Sequence, residues 1–448
     1  MKLVLQSTSN NIQVGKKKIK WSVWNDKISI DDHRYVLFNT KMRNAVLIEN
    51  SETTCPEQLH DVDVEMLYRN GFLVDDDFDE KESWGKEFDK GRDEMSFIDL
   101  TILLTENCQM RCQYCFEGTK VRKNIKESTI DDILSFLRRH INVCTRLRVT
   151  WFGGEPLMAY SQLKSMTLKL LDFCEENNIE YSADITTNGF ALNPERCREI
   201  VELLKVKRFI ITLDGPARIH EMRRPLVSNK PSYKIIMRNI HTLVALGAWV
   251  TVRMTIDKRN AECIQEFLDS MAKDSLKGRV GLAFCRTIDY NFTPERVKND
   301  IYTASEFVDV EWKLIQYAHK LGLWKYHFPH SAPLGGCLRK GDIVIGTDGE
   351  IYKCLDTLGD TRWVSGQINN FGNNGNGIPD WMEKWSNWTP FKSQKCKHCT
   401  LVPLCNGGCP HNALFDDKKH GSDTGCPDWK GNYKRQIKSL IIEEYENI

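Results

Sequence analysis

"ENCQMRCQYCFEG", residues 106–118, sets Cys108, Cys112 and Cys115 within eight positions and brings no fourth cysteine nearby. Thiolates are soft ligands suited to zinc and to iron–sulfur clusters. A structural zinc site closes with four protein ligands, whereas a catalytic metal keeps a position open. A CxxxCxxC triplet can hold three irons of a four-iron cubane and leave the fourth exposed, so the missing ligand is the informative feature. A chance spacing in a zinc or structural site is the competing reading.

The triplet follows "IDLTILLT", a strand pattern, and further strand patterns come at "LRVTWF", "YSADIT", "RFIITL", "WVTVRMTI" and "VGLAF". Amphipathic helical runs such as "SQLKSMTLKLLDFCEENN" and "SYKIIMRNIHTLVALGA" lie between them. This alternation predicts an α/β fold: a parallel sheet with right-handed crossovers, curved into a partial (β/α)6 barrel. The strands end in "GGEP", "TNG" and "DGP", at the carboxyl edge where such folds place their chemistry. Gly153 and Gly154 allow close backbone approach, and the Glu155 carboxylate can accept hydrogen bonds from an ammonium; a plain tight turn is the alternative. "TLDGP" and "MRRP" offer Thr212 and Arg224, the guanidinium fork of the latter matching a carboxylate. Arg223 competes for that role, and solvated arginines are the plain reading. Asn188, in "TTNG", is a candidate or simply a turn residue. Phe284 to Arg286 end the sixth strand.

The 448 residues suggest two or three domains. Hydrophobic residues make up 41% and charged residues 27%, an ordinary globular balance. Lys+Arg is 62 and Asp+Glu 61, a net charge of +1, which argues against broad binding to nucleic acid or an anionic membrane. No run of about 18 apolar residues predicts a membrane span, and "MKLVLQSTSNN" is too short and polar for a secretory signal. A cytoplasmic location is expected, so the sixteen cysteines point to metal or redox chemistry rather than disulfides.

Residues 1–95 form a small α+β segment. "YVLFNT" and "NAVLIE" read as a hairpin, "PEQLHDVDVEMLYRNGFLV" as a helix leading into a strand, and "DDDFDEKESWGKEFDKGRDE" as a charged linker. Beyond a helix near 303–322 the alternation stops. The remainder is loop-rich and carries Cys337, Cys354, Cys396, Cys399, Cys405, Cys409 and Cys426. "INNFGNNGNGIPD" reads as a surface loop; its oxygens are mostly Asn, which disfavours a calcium loop.

"CQMRCQYC" after the first strand of a partial barrel resembles the radical S-adenosylmethionine (SAM) superfamily. That resemblance implies a [4Fe-4S] cluster on Cys108, Cys112 and Cys115, with SAM chelating the fourth iron and cleaved to a 5′-deoxyadenosyl radical. It further implies that Gly153, Gly154 and Glu155 hold the SAM amino group, that Thr212 contacts the ribose and Arg224 the carboxylate, with Asn188 nearby. Tyr114 and Phe116 would shield the cluster from water. The spacing Cx11Gx4C, through Gly349, then Cx2Cx5Cx3C and a last cysteine, resembles the SPASM domain. By that resemblance Cys396, Cys399, Cys405 and Cys426 ligate one auxiliary [4Fe-4S] cluster, and Cys337, Cys354 and Cys409 another, for three clusters in all. Many SPASM proteins place a further cysteine between the first two of that triplet; "LRKGDIVIGTDGEIYK" has none. Cys55, Cys144, Cys174, Cys197, Cys263 and Cys285 read as structural, Cys285 with some claim to function because it ends a barrel strand.

The expected division is 1–95, an N-terminal segment resembling a winged-helix leader-recognition element; 96–325, the barrel; and 326–448, the SPASM domain. The expected activity is maturation of a ribosomally made precursor peptide by a thioether or carbon–carbon crosslink, with an electron donor such as flavodoxin or ferredoxin. An anaerobic sulfatase-maturating enzyme is the alternative, and a non-catalytic iron–sulfur or zinc scaffold a third reading. The sulfatase maturases carry a catalytic Asp directly after the counterpart of Cys354 and begin close to their core. Here Leu355 holds that place and Asp356 is displaced by one.

Overall fold

The computed structural model describes residues 1–6, 18–49, 59–115, 117, 123–289, 293–330, 337–371, 378–415 and 425–445. Cys55, Phe116 and residues 372–377 of the Gly/Asn loop lie outside them. The chain opens with β1 (Lys2–Leu5), β2 (Ile19–Trp21), β3 (Asn25–Ser29), β4 (Arg34–Asn39) and β5 (Asn44–Glu49). The antiparallel sheet runs β1-β5-β4-β3. The β4–β5 hairpin matches the sequence reading; Asn39 Oδ1 pins its turn by accepting from the Met42 amide at 2.9 Å. Helix α1 (Asp61–Arg69) leads into β6 (Leu73–Asp75), which pairs with β2.

The charged linker is instead a helix, α2 (Glu80–Asp93), and that reading is corrected here. Asp79 caps it by accepting from the amides of Lys81 and Glu82 at 3.0 and 2.9 Å. Trp84 and Phe88, one turn apart, are 5% and 1% exposed. They pack with Trp24, Trp388 and Val402, joining N-terminal and C-terminal segments in one core.

The main sheet has nine strands. β7 (Phe97–Leu103), β8 (Arg146–Phe152), β9 (Glu180–Thr187), β10 (Val206–Thr212), β11 (Trp249–Ile256) and β12 (Gly281–Arg286) are consecutive parallel neighbours, as the alternation predicts. Alternate side chains such as Val149, Trp151, Val250 and Val252 are buried in the main core. The other set, including Phe152, Thr186, Thr212 and Arg253, lines a cavity. Three further strands extend the sheet beyond β7: β13 (Asp342–Ile345), parallel to it, then β14 (Glu350–Tyr352) and β15 (Gly366–Gln367), antiparallel. The cysteine-rich region therefore begins as part of the barrel sheet, where the sequence showed only the end of the alternation. Its last helix, Tyr433–Tyr445, sets Ile437 and Ile441 against Ile28, Val36 and Phe38 of the N-terminal sheet. Among the described residues no helix is long and apolar enough to cross a membrane.

Replacing Trp84 or Phe88 by Ala removes a large side chain from this shared core. We expect a loss of about 3–5 kcal/mol in a urea titration, against under about 0.5 kcal/mol for Val62→Ala on α1, whose side chain is 79% exposed. Equal effects would mean that α2 is only loosely attached.

Candidate active site

The cysteine loop is held from two sides. On one it lies along the segment after the helix Ala217–Arg223: the Arg111 amide donates to Pro225 O at 2.8 Å, the Gln113 amide to Arg223 O at 3.1 Å and the Val227 amide to Gln109 O at 2.9 Å. On the other it meets the end of β8. The Gly154 amide donates to Thr105 O at 2.8 Å and the Glu155 amide to Asn107 O at 2.9 Å. A Cβ on Gly153 would stand 2.4 Å from Thr105 O, and one on Gly154 2.5 Å from Asn107 O. Gly153 also has φ +134°, which side chains rarely adopt.

Glu155 is 1% exposed. Its carboxylate accepts from Thr187 Oγ1 at 2.6 Å and from the amides of Asn188 and Leu157 at 2.7 and 3.0 Å. Burial raises its pKa, and these three donors oppose the rise. Asn188 accepts from the Phe190 amide at 3.0 Å and points its amide nitrogen at Cys108 Sγ, 3.9 Å away.

The two adjacent arginines have opposite fates. Arg223 is fully buried: Nε donates to Asp214 at 3.1 Å, Nη1 to both oxygens of Asp257 at 2.8 Å and Nη2 to Thr255 O at 3.1 Å. Arg224 donates from Nη1 to Tyr114 Oη at 2.8 Å, and that hydroxyl donates to Asp214 at 2.6 Å. Its Nε is buried without a partner among the described residues. Burial opposes the charge on Arg224, but Cys112, Tyr114 and Asp214 outweigh it, so its pKa is raised. Burial likewise raises the Tyr114 phenol.

Cys108, Cys112, Cys115, Tyr114, Gly153, Gly154, Glu155, Asn188, Thr212 and Arg224 all line one cavity of about 440 Å³. Arg223 does not. Of the residues ending β12, only Arg286 reaches it; Phe284 stacks on Trp324 with ring centres 5.7 Å apart. Burial raises the Cys285 thiol beside Arg253. The residues present fit a cluster with a carboxylate-bearing ligand. Three thiols share one wall, Arg224 Nε lacks a partner, and the volume is in the range of small-molecule sites. Among the described residues no three His, Cys, Asp or Glu side chains converge on a single metal-ion position. Leu355 and Asp356, from the C-terminal region, complete the wall. The displacement of Asp356 by one residue therefore does not keep it from the cavity.

The remaining seven cysteines fall into two neighbourhoods. Lys430 Nζ lies 3.4 Å from Cys399 Sγ and 3.8 Å from Cys426 Sγ. Burial raises Cys396, with Cys399 and Cys426 adding to it, and pushes Cys405 up to about 11, with Cys399 and Cys396 adding. In the other group burial pushes Cys337 up to about 12, with Cys409 beside it. Burial also holds Cys354 well above the usual thiol range, with Asp356, Cys337 and Cys409 adding to it. Buried Lys353 lies by Cys337 and Asp342, and burial lowers it to about 8. Neither lysine carries a motif that a sequence reading would single out.

Residues 102–271 match the model of the Radical SAM superfamily. An uncharacterized protein of Methanocaldococcus jannaschii is 26% identical over 174 residues, 38% of this chain and 56% of its own length. A cysteine-type anaerobic sulfatase-maturating enzyme of Clostridium novyi is 23% identical over 363 residues, 75% of this chain and 94% of that one. Among solved structures, anSMEcpe with bound AdoMet and Kp18Cys peptide covers 79% of this chain and 100% of its own at TM-score 0.58 and 17% identity. SuiB of Streptococcus suis, bound to precursor peptide SuiA, covers 91% and 100% at TM-score 0.50 and 15% identity. With the open cysteine triplet at the mouth of a parallel sheet, these findings define a radical SAM enzyme, a class that works with a [4Fe-4S] cluster and SAM. Residues 102–271 are its radical SAM domain.

Two predictions separate scaffold from site. Arg223→Ala leaves buried Asp214 without its cation and Asp257 with Arg259 alone, and we expect a loss of about 3 kcal/mol in unfolding free energy. A melt unchanged from wild type would contradict the structural role. His220 is fully buried with neither ring nitrogen partnered among the described residues, and burial lowers its pKa to about 3. The unfolded chain binds a proton near pH 6.5 that the folded chain refuses. Stability is therefore full above pH 6.5 and falls toward pH 3, by up to about 1.4 kcal/mol per pH unit. His220→Leu should flatten this limb of the stability–pH curve, and an unchanged slope would place the proton elsewhere.

Proposed function

We propose that this radical SAM enzyme matures a ribosomally made precursor peptide, installing a thioether or carbon–carbon crosslink. In this reading Cys108, Cys112 and Cys115 hold the cluster, Gly153, Gly154 and Glu155 receive the SAM amino group, and Thr212 takes the ribose. Arg224 takes the carboxylate, Asn188 borders the site and Tyr114 screens it from water. The chemistry supplied there is one-electron cleavage of the SAM sulfonium, giving a radical able to take hydrogen from an unactivated carbon. Two auxiliary clusters, on Cys396/Cys399/Cys405/Cys426 and on Cys337/Cys354/Cys409, bring the total to three, and flavodoxin or ferredoxin supplies the electron. Glu155 keeps its orientation because three donors fix the carboxylate. Arg224 keeps its charge toward the cavity because Arg223 meets the buried aspartates behind it.

The observation that carries the peptide reading is the N-terminal sheet. It stands ahead of the barrel, packs on the cysteine-rich region, and leaves β1 and β3 as its outer strands among the described residues. Such an edge suits the added strand of a leader peptide. The working division is 1–95, 96–325 and 326–448. One observation favours the sulfatase-maturating alternative, the place of Asp356 on the cavity wall.

The test uses the anaerobically reconstituted protein with SAM and dithionite. A short Cys-containing peptide encoded beside this gene is expected to lose two hydrogens and gain a crosslink in tandem mass spectra. A sulfatase-derived peptide converted to an aldehyde would establish the alternative. Cys108→Ala/Cys112→Ala/Cys115→Ala should remove about one third of the iron and all 5′-deoxyadenosine; retained cleavage would refute this cluster site. Arg224→Ala should weaken SAM binding by a few kcal/mol at unchanged iron content. If Arg223→Ala instead shows that loss while Arg224→Ala does not, the two roles are exchanged.

A further inference from the structure

The group formed by Cys337, Cys354 and Cys409 is one thiolate short of a closed cubane site. "LRKGDIVIGTDGEIYK" contains no cysteine to complete it, and Ile343, Val344 and Ile345 in it are buried as β13 of the main sheet. A carboxylate comes to it from the other direction. Cys354 opens a short 3-10 turn, Leu355–Thr357, which folds back over it. The Thr357 amide and hydroxyl both donate to Cys354 O, at 3.3 and 2.8 Å, and the Asp356 amide hydrogen-bonds the Cys354 thiol. Asp356 is therefore held within one turn of Cys354. Its carboxylate acts on Cys337, Cys354 and Cys409 alike, and on Cys354 more strongly than either other thiol does. Asp342 also faces this group but is engaged elsewhere, with both oxygens accepting from Arg339.

We propose that Asp356 is the fourth ligand of the auxiliary cluster held by Cys337, Cys354 and Cys409, completing a three-thiolate, one-carboxylate set. This rests on the reading that the triplet holds a cluster. Carboxylate oxygen is an accepted ligand of protein-bound iron. Buried Lys353 beside Cys337 offsets part of the added negative charge. Asp356 also lines the active cavity, so this residue would link the auxiliary group to the substrate space.

The test uses the full chain, reconstituted anaerobically in the Cys108→Ala/Cys112→Ala/Cys115→Ala background, and reads the reduced auxiliary clusters by electron paramagnetic resonance and redox titration. Asp356→Cys is expected to keep the cluster and lower its midpoint potential, because replacing a thiolate by a neutral or weaker donor raises the potential and restoring it reverses this. Asp356→Ala is expected to change the spectrum and to make about half of the spectral intensity, one of the two remaining clusters, more labile to a chelator. Identical spectra, midpoints and chelator resistance with Asp356, Asp356→Ala and Asp356→Cys in this background overturn the proposal, even if Asp356→Ala alone abolishes turnover in the chain that keeps Cys108, Cys112 and Cys115, since that result places Asp356 in substrate chemistry instead. Cys354→Ala is the control. If it leaves iron content and spectrum untouched, the triplet holds no cluster, and the failure lies with that reading.

Discussion

At the head of the cavity two backbones touch with room for nothing larger than hydrogen between them. The contact of Gly153 and Gly154 with Thr105 and Asn107 fixes the cysteine loop relative to β8. The amides of Gly154 and Glu155 donate across the same contact, so a side chain at either glycine would lift the loop and break the bonds that seat it. Everything else at the site is referenced to this seam. Glu155 leaves it buried and oriented, Cys108 sits just beyond Asn107, and the far side of the loop is zipped to the segment carrying Arg224. Main-chain hydrogen bonds, not side-chain packing, thus set the spacing between the three thiols and the groups facing them.

A second layer of order comes from Asp214, which is fully buried. It accepts from Arg223, from Tyr114 and from the Thr255 amide. A buried carboxylate in this position needs a cation, and Arg223 supplies it. Arg224 is then not drawn inward, and one side of its guanidinium is steadied by Tyr114 alone. The "RR" pair divides its labour because Arg223 closes the helix while Arg224, its cap, has left helical geometry at φ −128° and ψ 56°. One side chain faces the sheet, and the other faces the cavity.

The barrel strands and the three strand-end motifs were legible because each has a local signature: period-two burial, glycine where chains touch, cysteines at fixed spacing. What the sequence hid is physically of another kind. Helix α2 reads as a charged linker because its apolar stripe is only Trp84 and Phe88 amid fourteen residues rich in charge. Its burial depends on Trp388 and Val402, far along the chain. β13 to β15 are too short to carry a period, and the pairing of β13 with β7 is a long-range fact. The choice between Arg223 and Arg224 could not be made from adjacency; it needed Asp214 and Asp257. The lysines beside the auxiliary thiols, Lys353 and Lys430, carry no motif, since a counterion is defined by position and not by spacing.

Those lysines bear on how the C-terminal region and the N-terminal segment depend on each other. Buried thiolates repel one another, and a nearby ammonium reduces that cost. Lys430 does so for Cys399 and Cys426, and it is carried on the short turn just before the last helix. That helix is the element whose apolar face packs on the N-terminal sheet, and Tyr433 at its start donates to Asp26 at 2.6 Å. Cys396 and Cys399 also border the cluster of Trp24, Trp84 and Phe88. The N-terminal segment therefore supports the neighbourhood of Cys396, Cys399, Cys405 and Cys426 twice, by covering two of its thiols and by seating the helix that follows Lys430. An N-terminal truncation is in consequence not a clean test of peptide binding, because it unsettles the packing around Cys396 and Cys399 at the same stroke.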